Sequence, residues 1–130
     1  MKKSTDPRHI NRQRILEALY SRKFEGTKLP RLTQNQKNVL NEIDAIVGKI
    51  DVIIDTYALT FTHSKMSKID YSLLQLGIYE LFFSKINIPY KVSIDECVEL
   101  AKEFGSEKSP KLINGILAKA QENEQQPSRA

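Results

Sequence analysis

The stretch IDYSLLQLGIYELFFSK, residues 69–85, is apolar on nearly every side when wound as a helix. A helix with so little polar surface has to be surrounded, so it belongs in the middle of a bundle. Ser67 with Asp70 supplies its start, and Asn87 and Pro89 its stop. No segment alternates with period two and no internal repeat is present, so the neighbours of this helix are expected to be helices too. The expected fold is all-α, a compact bundle of about five to seven helices joined by short loops.

The flanking segments supply those helices. Asp6-Pro7 combines a capping carboxylate with a proline that loses no hydrogen bond at a first helical position, and Ile15, Leu16 and Leu19, extended by Tyr20, follow as an apolar face running to about Lys23. Residues 24–32, FEGTKLPRL, lack periodicity and read as a linker within the domain. Thr33 and Gln36 form a capping box. Val39, Ile43, Ile46, Ile50, Ile53 and Tyr57 then recur at alternating spacings of four and three, predicting one amphipathic helix to about Phe61, with Gly48 as the place for a kink or break. Ser93 and Glu96 predict another capping box, after which Ile94, Cys97, Val98, Ala101 and Phe104 face inward and Gly105 provides a left-handed stop. Ser109-Pro110 opens a last helix with Leu112, Ile113, Ile116, Leu117 and Ala120 as its buried stripe.

At 130 residues the chain has the size of one domain, expected over residues 8–122, between a basic flexible segment at 1–7 and a disordered polar tail at 123–130. A single cysteine and no leader pattern point to the cytoplasm, and no apolar run is long enough for a membrane helix. Charge is unevenly placed. Residues 1–23 hold seven cations against Asp6 and Glu17, a net +5, while the remainder nets −1. Clustered cations of this kind suit a polyanion, because phosphate contacts release counterions, although a solubilising tail has the same composition.

Catalytic chemistry finds little support. Cys97 shares a face with Ile94, Val98 and Ala101 and is expected in the core, not as a nucleophile. His9 and His63 lack partners at ligand spacing and are expected at the surface, so no metal site is predicted. Asp95, Glu96, Glu99 and Glu103 read as the solvated face of a helix. Neither a phosphate-binding glycine loop nor a nucleophile elbow occurs, so neither catalytic residues nor a cofactor are expected. The loop GSEKSPK, however, sets Ser106, Lys108, Ser109 and Lys111 at a helix start, where backbone donors and lysines suit a phosphate. Asn114-Gly115 lies inside the last helix, where glycine suggests close approach of another backbone.

IYELFF followed by IPYKVSIDECVELAKEFGSEKSPKLINGIL resembles the C-terminal half of the bacterial NusB antitermination family, and Arg8, Arg12 and the segment ending Ala18-Leu19-Tyr20 resemble its opening helix. The likeness is good over residues 8–22 and 69–120; residues 24–60 match only as helical pattern. It implies two small helical subdomains packed across each other. It also implies binding without turnover: with the ribosomal protein NusE, such a factor binds boxA-type RNA in nascent ribosomal transcripts and helps RNA polymerase read through terminators.

Carried over by position, the resemblance assigns RNA contact to Arg8 and Arg12, with Lys2 and Lys3 before them, and to Ser106, Lys108 and Lys111 in the loop. It assigns the NusE surface to Tyr20 and Asp70. Gln75 stands where many members have arginine, and Lys108 where many are acidic, which implies a shift of RNA contacts toward the loop. An RNA-docking module for a ribosomal RNA methyltransferase shares the same fold and is the alternative role. Weak homodimer formation through an exposed helical face stays open.

Overall fold

The computed structural model describes residues 6–124. Among them are six α-helices and no strand: α1 (Pro7–Ser21), α2 (Gln34–Ala45), α3 (Val47–Tyr57), α4 (Lys68–Ile78), α5 (Tyr90–Phe104) and α6 (Ser109–Asn123). The architecture is the expected all-α bundle. α4 touches α1, α3, α5 and α6, while α2 packs on α1, and α6 on both α5 and α3. Every residue of α4 from Ser72 to Ile78 is buried. The helix read as apolar all round is therefore the axis on which the others are assembled.

Three of the expected starts form as read. Asp6 caps α1 by accepting from the Arg8 backbone N–H at 2.9 Å. Thr33 and Gln36 make the reciprocal capping box of α2, at 3.2 and 2.9 Å. Ser67 accepts from the Asp70 backbone N–H at 3.2 Å. Each of these bonds joins residues two or three apart, which is why local sequence is enough to place them.

Elsewhere the chain departs from the expectation. The helix expected from Thr33 to Phe61 is broken at Ile46, which leaves helical geometry (φ −124°, ψ 19°) two residues before Gly48, and α3 ends at Tyr57. Residues 24–32, by contrast, form turns and irregular chain without a helix, as the linker reading expects. α4 continues into a π-helical turn, Tyr79–Phe83, closed by the Ser84 N–H donating to the Tyr79 carbonyl at 2.8 Å. α5 begins at Tyr90, three residues before the expected cap, so Ser93 and Glu96 lie inside it and are free for other partners. Phe104, expected to face inward, is exposed.

Gly105 ends α5 in extended geometry (φ −91°, ψ −171°), not in the left-handed region. Its requirement is steric: a Cβ there would lie 2.5 Å from the Ser109 side chain and 2.8 Å from the Ala101 carbonyl oxygen. The expected close approach at Gly115 is absent, since a Cβ there would meet nothing within 4 Å. At the C-terminal end, α6 runs to Asn123, and the Tyr57 hydroxyl donates to the Glu124 carboxylate at 2.5 Å, so residues 123 and 124 are fixed against α3. Residues 6 and 7 belong to the start of α1. The rest of the flexible segment and tail expected from sequence lies outside the described residues. No described helix is long and apolar enough to cross a membrane.

Candidate nucleic-acid interface

α1 carries His9, Arg12, Leu16 and Leu19 on one inward face, at spacings of three, four and three. The first two are polar and the last two apolar, so the buried stripe changes character toward the N-terminus of the helix. His9 and Arg12 are 2% and 6% exposed. They face α5 and the π turn, whose inward residues there are carboxylates.

The result is a buried polar network. Arg12 Nε donates to both oxygens of Glu80, at 2.9 and 3.1 Å, and its Nη1 lies 3.8 Å from Glu96. The Ser93 hydroxyl donates to Glu80 at 2.9 Å. His9 Nδ1 meets Glu96 at 3.1 Å and its Nε2 meets Glu103 at 2.9 Å. Burial is the largest single influence on His9 and opposes its charge, but the hydrogen bonds and charges of Glu96 and Glu103 together outweigh it and raise the pKa above 6.5. His9 is thus a buried cation partner, not the surface histidine expected from sequence. Glu96 likewise belongs to the interior and not to the solvated face. Buried charges are tolerated only when paired, and each here has a partner from a different helix.

This network decides where the cations at the surface go. The His9–Glu103 contact fixes the first turn of α1 against the last turn of α5, and Arg8 adjoins His9 while Ser106 follows Glu103 by three residues. Arg8 and the α5–α6 loop are thereby brought to one end of the bundle. The Arg8 side chain is 86% exposed, with the Asp6 carboxylate 3.9 Å away, and Lys108 and Lys111 are exposed without an ion pair among the described residues. Ser106 is exposed as well; its backbone N–H donates to Ser109 Oγ at 2.9 Å, which folds the loop back onto the start of α6. The Ser109 hydroxyl therefore serves the loop, and α6 starts without a side-chain cap. Arg12 does not join this surface, because its guanidinium is enclosed by Glu80 and Glu96. Lys2 and Lys3 lie outside the described residues.

Tyr20 and Asp70 lie toward the opposite end of α1, about 18 Å along the helix from Arg8 at 1.5 Å per residue. Tyr20 is 37% exposed and stands edge-on to Phe24 at 4.9 Å, while Lys68 of the first turn of α4 reaches over Phe24 at 5.7 Å. Asp70, in that same turn, is buried, with one carboxylate oxygen lacking a hydrogen-bond partner among the described residues. Gln75 is buried and accepts from Lys23 Nζ at 2.6 Å, so the residue that stands in place of a cation is an interior acceptor.

Other candidate chemistry is turned inward. Cys97 is fully buried, and that burial pushes its thiol pKa upward, which disfavours the reactive thiolate. His63 is half-buried with Asp55 at 2.8 Å and Asp51 at 3.4 Å, and no group of three or more ligand-type side chains is arranged to hold a metal ion among the described residues. The polar network around His9 was missed in the sequence, although His9 and Arg12 continue the spacing of the Leu16–Leu19 stripe and Ser93 and Glu96 that of Cys97–Leu100.

Known proteins of similar sequence and fold identify the family. The NusB family model matches residues 9–122. The transcription antitermination protein NusB of Alkaliphilus oremlandii is 35% identical over 116 residues, covering 89% of this chain and 83% of that one. Its counterpart from Thermobifida fusca is 30% identical over 127 residues, covering 88% and 89%. A structure of T. maritima NusB superposes with a TM-score of 0.79 at 30% identity, over 95% of this chain and 94% of that one. A crystal structure of the antitermination factors NusB and NusE in complex with dsRNA superposes at 0.75 and 20% identity, over 90% and 97%, and so shares the fold. With its helices, its central α4 and nearly its full length matched, the chain belongs to the NusB family.

Proposed function

We propose that this protein is an RNA-binding transcription antitermination factor that, together with the ribosomal protein NusE, binds boxA-type RNA in nascent ribosomal transcripts and promotes read-through by RNA polymerase in the cytoplasm. The observation that carries the reading is the His9–Glu103 contact, which brings Arg8 to the same end as Ser106, Lys108 and Lys111 in a family whose named members are antitermination proteins. Clustered, largely unpaired cations at one end of a bundle give phosphates a place to release counterions. Arg12 holds that end together from inside. The role is binding without turnover, supported by the burial of Cys97. Tyr20, at the far end of α1, serves as the NusE surface, which leaves the RNA end accessible while the partner is held; Asp70, assigned to that surface by the resemblance, is buried and does not present its carboxylate to a partner.

The test is fluorescence anisotropy of a boxA-type RNA and a scrambled control, titrated with the full chain alone and with NusE at two salt concentrations. Selective binding that tightens with NusE is expected. Equal, weak and strongly salt-dependent binding to both RNAs, unaffected by NusE, would overturn the reading.

A further inference from the structure

A second surface on α1 is untouched by that reading. Where Ile10 and Arg14 on the outer side of α1 face Arg31 and the start of α2, the chain leaves a shallow groove of about 380 Å³. Beyond it, between α1, α2 and the 84–88 loop, lies a larger cavity of about 570 Å³. Gln36, which lines the groove, donates from Nε2 to Oδ1 of Asn11, which lines the cavity, at 3.0 Å. Groove and cavity thus adjoin as a track along the α1–α2 junction.

We propose that this track is a further contact site for single-stranded RNA, in which Arg14 and Arg31 hold backbone phosphate and the larger cavity receives a nucleobase. The inference rests on the RNA-binding function proposed above and extends it to residues outside the Arg8 end. Three observations carry it. Arg31 is exposed with no ion pair among the described residues, and Arg14 has only the exposed Glu17 at 3.8 Å, so both guanidinium groups are available to a phosphate, which they can grip in a fork. The cavity presents the amides of Asn11, Asn35 and Asn38 around walls that include Ile15, Leu76 and Ile86. Apolar walls with a polar rim match a base, which has apolar faces and a hydrogen-bonding edge.

Third, those amides have donors to spare. Asn35 makes no side-chain hydrogen bond among the described residues. The oxygens of Asn11 and Asn38 accept from Gln36 and Gln34, which leaves both NH₂ groups open. Two carboxylates line the cavity, and both are engaged: Glu42 accepts from the Tyr79 hydroxyl and lies 3.6 Å from Lys85, and Glu80 accepts from Arg12 and Ser93, so neither presents a bare negative charge to the strand.

The experiment is anisotropy with a boxA-type RNA across a salt series, using the full chain, an Arg14→Ala/Arg31→Ala variant, an Asn35→Ala/Asn38→Ala variant and an Arg8→Ala/Lys108→Ala variant, with thermal melts of each. Loss of both arginines should weaken binding about tenfold and lower the salt slope by about 1.4 units, at about 0.7 per single-strand phosphate. Loss of the two asparagines should weaken binding with the slope unchanged, since no phosphate contact goes. If both groove variants bind as the unmodified chain does while Arg8→Ala/Lys108→Ala is weakened, the track is off the RNA path and only this inference falls. If the unmodified chain itself binds no RNA, the function proposed above falls with it.

Discussion

Arg12 and Glu80, 68 residues apart in the chain, meet in the interior with the Arg12 Nε shared between both carboxylate oxygens at 2.9 and 3.1 Å. Arg12→Ala leaves Glu80 and Glu96 with their charges buried and a cation missing. A loss of about 3–5 kcal/mol of folding stability is expected, the usual result of removing one partner from a buried pair. Arg8→Ala, four residues earlier but exposed, should leave the denaturation midpoint within about 0.5 kcal/mol of the original and instead weaken RNA binding. Urea melts and RNA titrations of both variants separate the two roles; equal stability of the two would refute the interior assignment of Arg12.

The pH dependence near neutrality should come from His9. Its folded pKa is raised above 6.5, so the folded state holds the proton more tightly than the unfolded chain does. The stabilisation is complete below about pH 6.5 and is lost as the pH rises through the raised folded value. Urea midpoints taken in steps upward from pH 6 should therefore fall, and His9→Gln should flatten that fall. Parallel profiles for the two proteins would show that His9 does not titrate in this range.

Lys23 should act in the opposite sense at higher pH. Burial, then the charge of Arg22, lowers its pKa to about 8, while its Nζ donates to the Leu19 carbonyl and Gln75. Between about pH 8 and the ordinary lysine value near 10.4 the unfolded chain binds the proton that the folded chain has released, so stability should rise with pH there. Lys23→Met should remove the rise. A slope that survives the substitution would assign it to another group.

Gly115 offers a test of a surface that the fold leaves vacant. It stands in the interior of α6, exposed, with nothing within 4 Å of an added Cβ. Gly115→Ala should raise stability by about 0.5–1 kcal/mol through helix propensity alone. Gly77→Ala is the contrasting case, since its Cβ would come within 2.7 Å of Leu117 and 3.3 Å of Cys97, and a cost of about 1–3 kcal/mol is expected. Thermal melts that ranked the two variants the other way would contradict both packing assignments.

Cys97→Ser places a hydroxyl in a fully buried site and should cost about 1–3 kcal/mol while leaving RNA affinity unchanged. Thiol labelling in the folded protein should wait on unfolding. Rapid labelling under native conditions would contradict the burial.

Which parts of this were legible in the sequence follows from how far apart the interacting residues are. The caps at Asp6, Thr33 and Ser67 and the apolar stripes of α4 and α6 depend on neighbours within a few positions, and they form as read. Ser93 and Glu96 show the same local pattern as Thr33 and Gln36, yet they serve Glu80, His9 and Arg12 because α5 begins earlier, at Tyr90. Nothing within α5 announces a histidine from the first helix. The break at Ile46 falls two residues from Gly48, where the sequence allowed one, whereas the π turn at Tyr79 leaves no mark on a side-chain periodicity that describes one longer helix. At the candidate RNA end, the exposed positions of Arg8 and the loop lysines could be inferred from charge, whereas the interior position of Arg12 could not.

The His9 contacts with Glu96 and Glu103 close separations of 87 and 94 residues. Contacts this distant in sequence form late, because much of the chain must already be ordered before its ends can meet. During synthesis from the N-terminus, α1 emerges long before α5, so Arg8 has no loop beside it until nearly the whole protein has left the ribosome. A half-made chain thus presents its basic first helix without the loop that stands at the same end in the folded protein, and that end of the bundle is completed only when the last helices arrive.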